Sequence, residues 1–139
     1  MPDEKASSAL AIVRLEKANQ CLQAAEKNFA MGLYMTSVNR SYYCIFHSMR
    51  AVLALDKFDS KKHSGVISQY RRNYIKTGLF PTELSQIITD AFLDRNDSDY
   101  MDFYSVSKED AKTQLLNAKI FYENVLKYIN NKINQSEII

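Results

Sequence analysis

The chain is written in helical periods. From Ala11 onward, apolar residues return at alternating steps of four and three through Leu15, Ala18, Leu22, Ala25 and Phe29. That spacing predicts a bundle helix over about Asp3–Ala30, with one apolar seam and with Asp3 and Glu4 suited to its positive N-terminal end. Gly32 marks a helix stop and a short turn, so a second helix over about Leu33–Leu55 is expected to run back antiparallel to the first. At about 100° per residue, Val38, Tyr42, Ile45, Met49, Val52 and Leu53 share one face of it. Asp56–Lys62 is polar and breaks the period. A third, shorter helix is predicted from near Lys62 to near Lys76, ahead of Gly78.

Pro81 and Thr82 open a fourth helix, with Leu84, Ile87, Ile88, Ala91 and Phe92 facing inward and the pattern fading around Asn96. Asp97–Val106 has no clean period and is predicted to be irregular. Ser107 followed by Asp110 reads as a capping box. The last helix carries Ala111, Leu115, Ala118, Tyr122, Val125 and Ile129 at fours and threes. The ends, about residues 1–3 and 133–139, are expected to fray. These elements predict an all-α fold, an up-and-down antiparallel helical bundle of four to five helices in which residues 1–139 form a single domain.

Composition supports long helices, since only three glycines and two prolines interrupt the chain. A hydrophobic content of 46% is ordinary for a globular protein and argues against disorder. No apolar run approaches the length of a membrane span. The N-terminus, MPDEKASSALAIV, lacks the basic, apolar and small-residue order of a signal peptide, so a cytoplasmic location without membrane contact is expected. Cys21 and Cys44 lie inside helical patterns without CxxC spacing and read as reduced, small hydrophobes.

The net charge of +2 conceals two blocks. Residues 57–76 carry six Lys or Arg against one Asp, and residues 77–110 carry eight acids against two bases. Such blocks suit solvated faces, neighbouring elements that attract each other, or a basic helix that meets phosphate.

Candidate chemistry begins on the second helix. Arg40, Tyr43, His47 and Arg50 follow at steps of three, four and three and line up on a second face. An arginine fork matches a phosphate, and a histidine on the same stripe can share that ligand or move a proton. Equally, the stripe can pair with the acids of Asp90–Asp102 and lock the second helix to the fourth. His63 opens the third helix, where exposed backbone N–H groups beside Lys62 and Ser64 suit an anion. Alternatively His63 or Ser64 caps that helix and Gly65 makes room for packing. Neither the two histidines nor the scattered aspartates form a metal-ligand set, and no cofactor is expected. The tyrosines and phenylalanines fall mostly at core spacing and read as packing.

The segments RSYYCIFHSMRA, KKHSGVIS, YIKTGLFP and RNDSDY, in this order, resemble those of the HEPN family, over a likeness that runs from about Leu15 to Ile129. The resemblance implies an up-and-down bundle, a homodimer with the arginine segment at the cleft between subunits, and a separately encoded minimal nucleotidyltransferase as partner. Ribonuclease members carry an arginine followed by a histidine. Arg95 and Asn96 match the arginine and its frequent polar neighbour, but Tyr100 occupies the histidine position. A tyrosine, with a pKa of about 10, is a poor base at neutral pH, although it can still position a proton. His47 or His63 can replace the lost group only if the fold brings one near Arg95. Three functions are therefore expected to compete: a nucleotide- or RNA-binding component of a toxin-antitoxin or defence system, a metal-independent ribonuclease toxin using Arg95 and Tyr100, and a non-catalytic dimerisation module.

Overall fold

The computed structural model describes residues 2–138, with side chains over residues 4–134. Its elements are α1 (Pro2–Ala30), α2 (Tyr34–Leu55), α3 (His63–Tyr70), α4 (Glu83–Tyr100) and α5 (Lys108–Ile138), with a π-helical turn over Arg71–Ile75 that continues α3. No strand occurs among the described residues, and the all-α bundle follows the predicted order. The fraying expected from residue 133 is not a loss of helix there, because α5 continues to Ile138. For residue 1, for residue 139 and for the side chains of 1–3 and 135–139, that expectation lies outside the described residues.

α2 is the central helix and packs against each of the other four. Its predicted core face is buried in full, with Val38, Tyr42, Ile45, Met49, Val52 and Leu53 each at most 1% exposed. They meet Tyr70, Leu84, Ile88, Phe121 and Ile129 in one apolar core. Full burial of each large side chain contributes about 1.5–3 kcal/mol. A second face is made of small residues, Ser37, Ser41, Cys44, Ser48 and Ala51, all fully buried. That stripe brings α2 close to its neighbours. The Ser37 hydroxyl donates to Ala25 O on α1 at 2.8 Å, and Cys44 Sγ lies 3.9 Å from Ala118 O on α5. Ala11, Ala18 and Ala25 of α1 are likewise fully buried. Gly32, at φ 78°, takes the left-handed conformation that closes the α1–α2 turn.

Two expectations need correction. α4 does not fade at Asn96 but runs to Tyr100, ending with Met101 N–H donating to Asp97 O at 3.0 Å. Apolar periodicity does not hold this last turn. Ser98 is buried, Arg95 pairs with Asp99 one turn on, and Asn39 of α2 donates to Asp99 Oδ2 at 3.1 Å. In α5, Gln114 and Phe121 turn inward, while Leu115 and Tyr122 are only half-buried. The Ser107 cap forms as expected, accepting from Asp110 N–H at 3.0 Å.

Candidate functional site

Successive residues of α2 point about 100° apart, so Tyr42 and Tyr43 present adjoining rings, one inward and one toward α4. Their centroids are 5.1 Å apart at 78°. Arg95 of α4 lies over both, with Cζ 5.2 Å from the Tyr42 centroid and 5.4 Å from that of Tyr43. Its Nη2 donates to the Tyr43 hydroxyl at 2.9 Å and its Nη1 to Asn96 Oδ1 at 3.0 Å. Asp99 Oδ2 stands 3.1 Å from Nε in an ion pair, without the geometry of a hydrogen bond. The guanidinium plane is therefore fixed by two rings, two acceptors and a carboxylate.

His63, the first residue of α3, joins the same cluster from another direction. Its ring stacks on Phe46 with centroids 4.1 Å apart and meets the Tyr43 ring edge-on at 6.0 Å. His63 Nδ1 and the Tyr42 hydroxyl are 2.7 Å apart. Burial holds the Tyr42 phenol well above its ordinary range, so this hydroxyl keeps its proton at neutral pH. Burial first, then the charges of Arg95 and Arg50, lower the His63 pKa and favour the neutral ring. When Tyr42 donates to Nδ1, the other ring nitrogen carries N–H and can donate to a phosphate oxygen. When Tyr42 accepts instead, that nitrogen presents a lone pair and can act as a base.

The stripe of α2 divides between two surroundings. Tyr43 serves Arg95. Arg40 Cζ lies 5.0 Å from the Tyr43 ring centroid, with Nε and Nη2 both donating to Asn39 Oδ1. With His47 it lines a cleft of about 210 Å³ against Lys17 and Cys21 of α1. His47 Nδ1 is buried without a hydrogen-bond partner. Burial, then Arg50, Lys17, Arg40 and Arg14, push the His47 pKa down to about 4. Arg50 turns to Asp59, 3.6 Å away, which also takes the buried Arg14 at 3.1 Å. The expected lock between this stripe and the acids of Asp90–Asp102 thus takes another form: Arg95 and Asn39 meet Asp99.

Tyr100 does not join Arg95. They stand five positions apart on α4, about 140° around the axis, and Tyr100 is 75% exposed. The residue that shares the arginine's rings is His63. Neither His63 nor Ser64 caps α3. Lys62 is the N-cap residue without a side-chain cap bond, and the Ser60 hydroxyl accepts Lys62 N–H at 3.2 Å. Lys62 and Ser64 are exposed beside the cluster. Sequence reasoning placed Tyr42 in the core alone, counted Asp99 only among the acids of Asp90–Asp102, and did not single out Phe46. Of these only Asp99, one turn after Arg95, carried a local signal. Among the described residues no group of three or more His, Cys, Asp and Glu side chains is placed to hold a metal ion. None of the helices there is long and apolar enough to cross a membrane.

The HEPN domain model matches residues 12–129. The chain belongs to the HEPN family. Among its relatives is a Methanocaldococcus jannaschii protein named "putative toxin", 33% identical over 85% of this chain and 80% of that protein. A second protein of that organism with the same designation is 32% identical over 81% and 84%. A UPF0332 protein of Archaeoglobus fulgidus is 35% identical over 85% and 94%. Within this HEPN chain, the arginine of the RNDSDY segment is thus the one that α2 and α3 surround with Tyr42, Tyr43 and His63.

Proposed function

We propose that this HEPN protein is a toxin-like component that binds RNA or nucleotide phosphate at Arg95 and His63. The observation that carries this reading is the packing of both side chains on one pair of tyrosine rings. A guanidinium held by its neighbours binds a phosphate without first losing rotamer freedom, and the adjacent imidazole adds a neutral donor. Two relatives bear the "putative toxin" designation, which supports the same direction. Arg40, Arg50, Lys62, Ser64 and Asn96 belong to this proposal as flanking groups. So do a second copy of the chain and a separately encoded minimal nucleotidyltransferase, the partners that the HEPN resemblance implies.

A second reading, a metal-independent ribonuclease, is favoured by one observation. His63 occupies the arginine's surroundings from which Tyr100 is turned away, so Arg95 can hold the phosphate while His63 moves a proton. One set of proteins tests both readings: wild type, Arg95→Ala, His63→Ala and Tyr42→Phe. Each is titrated against a short labelled single-stranded RNA and incubated with it in chelator, with circular dichroism to verify folding. Binding that falls about tenfold or more in folded Arg95→Ala, with RNA left whole, is the expected result. Wild-type affinity in Arg95→Ala overturns the binding reading. Cleavage that is lost in His63→Ala establishes the second.

A further inference from the structure

We propose that the cavity between α3 with its π-turn and α4 is a site for a small phosphate monoester with an apolar body. The cavity measures about 490 Å³, within the range of about 300–1,000 Å³ typical of small-molecule sites. It goes beyond the Arg95 cluster and does not depend on that cluster's function.

Its walls divide by chemistry. Ile88 and Phe92 of α4 and Ile67 of α3 supply an apolar side. Arg71, Arg72 and Lys76 supply three positive charges, and no carboxylate lines the cavity. Ser68 and Thr89 add hydroxyls to the lining. Arg72 and Lys76, exposed and four residues apart, repel each other modestly, and an anion between them would relieve that repulsion.

The π-turn gathers these charges. Lys76 N–H donates to Arg71 O at 2.9 Å, across five residues. In an α-helix, positions 71 and 76 would project about 140° apart, whereas the wider turn brings them toward one side. Arg71 is also held in place, with Nη2 donating to Ser85 O at 2.9 Å and Thr89 Oγ1 at 2.6 Å. Its Nε is buried with no partner. A fixed guanidinium, a second arginine and a lysine match the head of a phosphate monoester. The aliphatic wall with Phe92 matches a flat base or a short alkyl chain.

The full-length protein is titrated by calorimetry with adenosine monophosphate, octyl phosphate and inorganic phosphate. The variants are Arg72→Gln/Lys76→Gln, Ser68→Trp to fill the cavity, and Arg95→Ala as a control outside it. Arg71 is left intact because it ties the π-turn to α4. Binding of either ester more tightly than inorganic phosphate is expected, weakened about tenfold by the double variant and by Ser68→Trp. Retained binding in Arg95→Ala separates this cavity from the Arg95 cluster. Which ester binds identifies the body as a nucleoside or an alkyl chain. Equal affinity for inorganic phosphate, no binding of any probe, or ester binding lost in Arg95→Ala but kept in the cavity variants overturns the proposal.

Discussion

Gly65→Ala provides a sharp test of how His63 is delivered to the tyrosine pair. A Cβ on Gly65 would overlap the Ser60 hydroxyl and lie 3.0 Å from Ser60 Cβ. The hydroxyl cannot swing aside freely, because it accepts Lys62 N–H at the start of α3. Overpacking costs about 1–3 kcal/mol and loss of the hydrogen bond about 1 kcal/mol. Against this, alanine gains roughly 1 kcal/mol over glycine in a helix. The net expectation is a destabilisation of about 1–3 kcal/mol. With a urea m-value of about 2 kcal/mol/M, the midpoint should fall by roughly 0.5–1.5 M at unchanged slope. Ser60→Gly removes both clashing atoms, so Gly65→Ala placed in that background should no longer destabilise. Proton NMR supplies a second reading. Displacement of α3 from Tyr42 and Arg95 should raise the His63 pKa toward its ordinary value. A midpoint for Gly65→Ala equal to wild type, or the same loss in the Ser60→Gly background, refutes the reasoning.

Further tests follow from His47 and from Asp59, which Arg14 of α1 and Arg50 of α2 share. The His47 pKa of about 4 lies below the ordinary histidine value, so between the two values the unfolded chain binds more protons. Its contribution is therefore complete above about pH 6.5 and is lost as pH falls through about 4, worth about 1–2 kcal/mol after discounting for a ring still partly in solvent. Urea unfolding at pH 7.5 and 4.5 should show a smaller difference in His47→Gln, and an unchanged difference removes His47 as the cause. Asp59→Asn leaves Arg14 buried beside Arg50 without the carboxylate both now share. It should cost about 1–2 kcal/mol at low salt and less in concentrated salt. A salt-independent loss would point to the loop's shape instead of charge.

What could be read from the sequence was whatever repeats with the helix. The faces through Val38–Leu53 and Ala11–Ala25, the Gly32 turn and the Ser107 cap all depend on near neighbours, and all are found where expected. The last turn of α4 escaped because Asn39 and Arg95 hold it through Asp99 in place of an apolar stripe. The π-turn had no sequence signature. For the candidate site, sequence singled out Arg95, Tyr43 and His63 separately. What joins them is Tyr42, whose buried position on the core face gave no hint that its hydroxyl reaches His63. Arg14 and Asp59 were invisible for a similar reason, since 45 residues separate them and only the docked loop makes them partners.

The stripe of small residues between α1 and α2 also bears on the order of events in time. Only Met31–Leu33 separates these two helices, so their contact closes a short loop and costs little chain entropy. The Arg95–His63 cluster instead needs α2, α3 and α4 to arrive from distant stretches of chain. The hairpin is thus expected to form early and let go late, and the last turn of α4 to open before it. Within the helices, amide exchange should be slower along α2 than over Ser98–Tyr100. A ligand or partner that closes on Arg95 then needs to reorganise one helix end, with the framework beneath it already set.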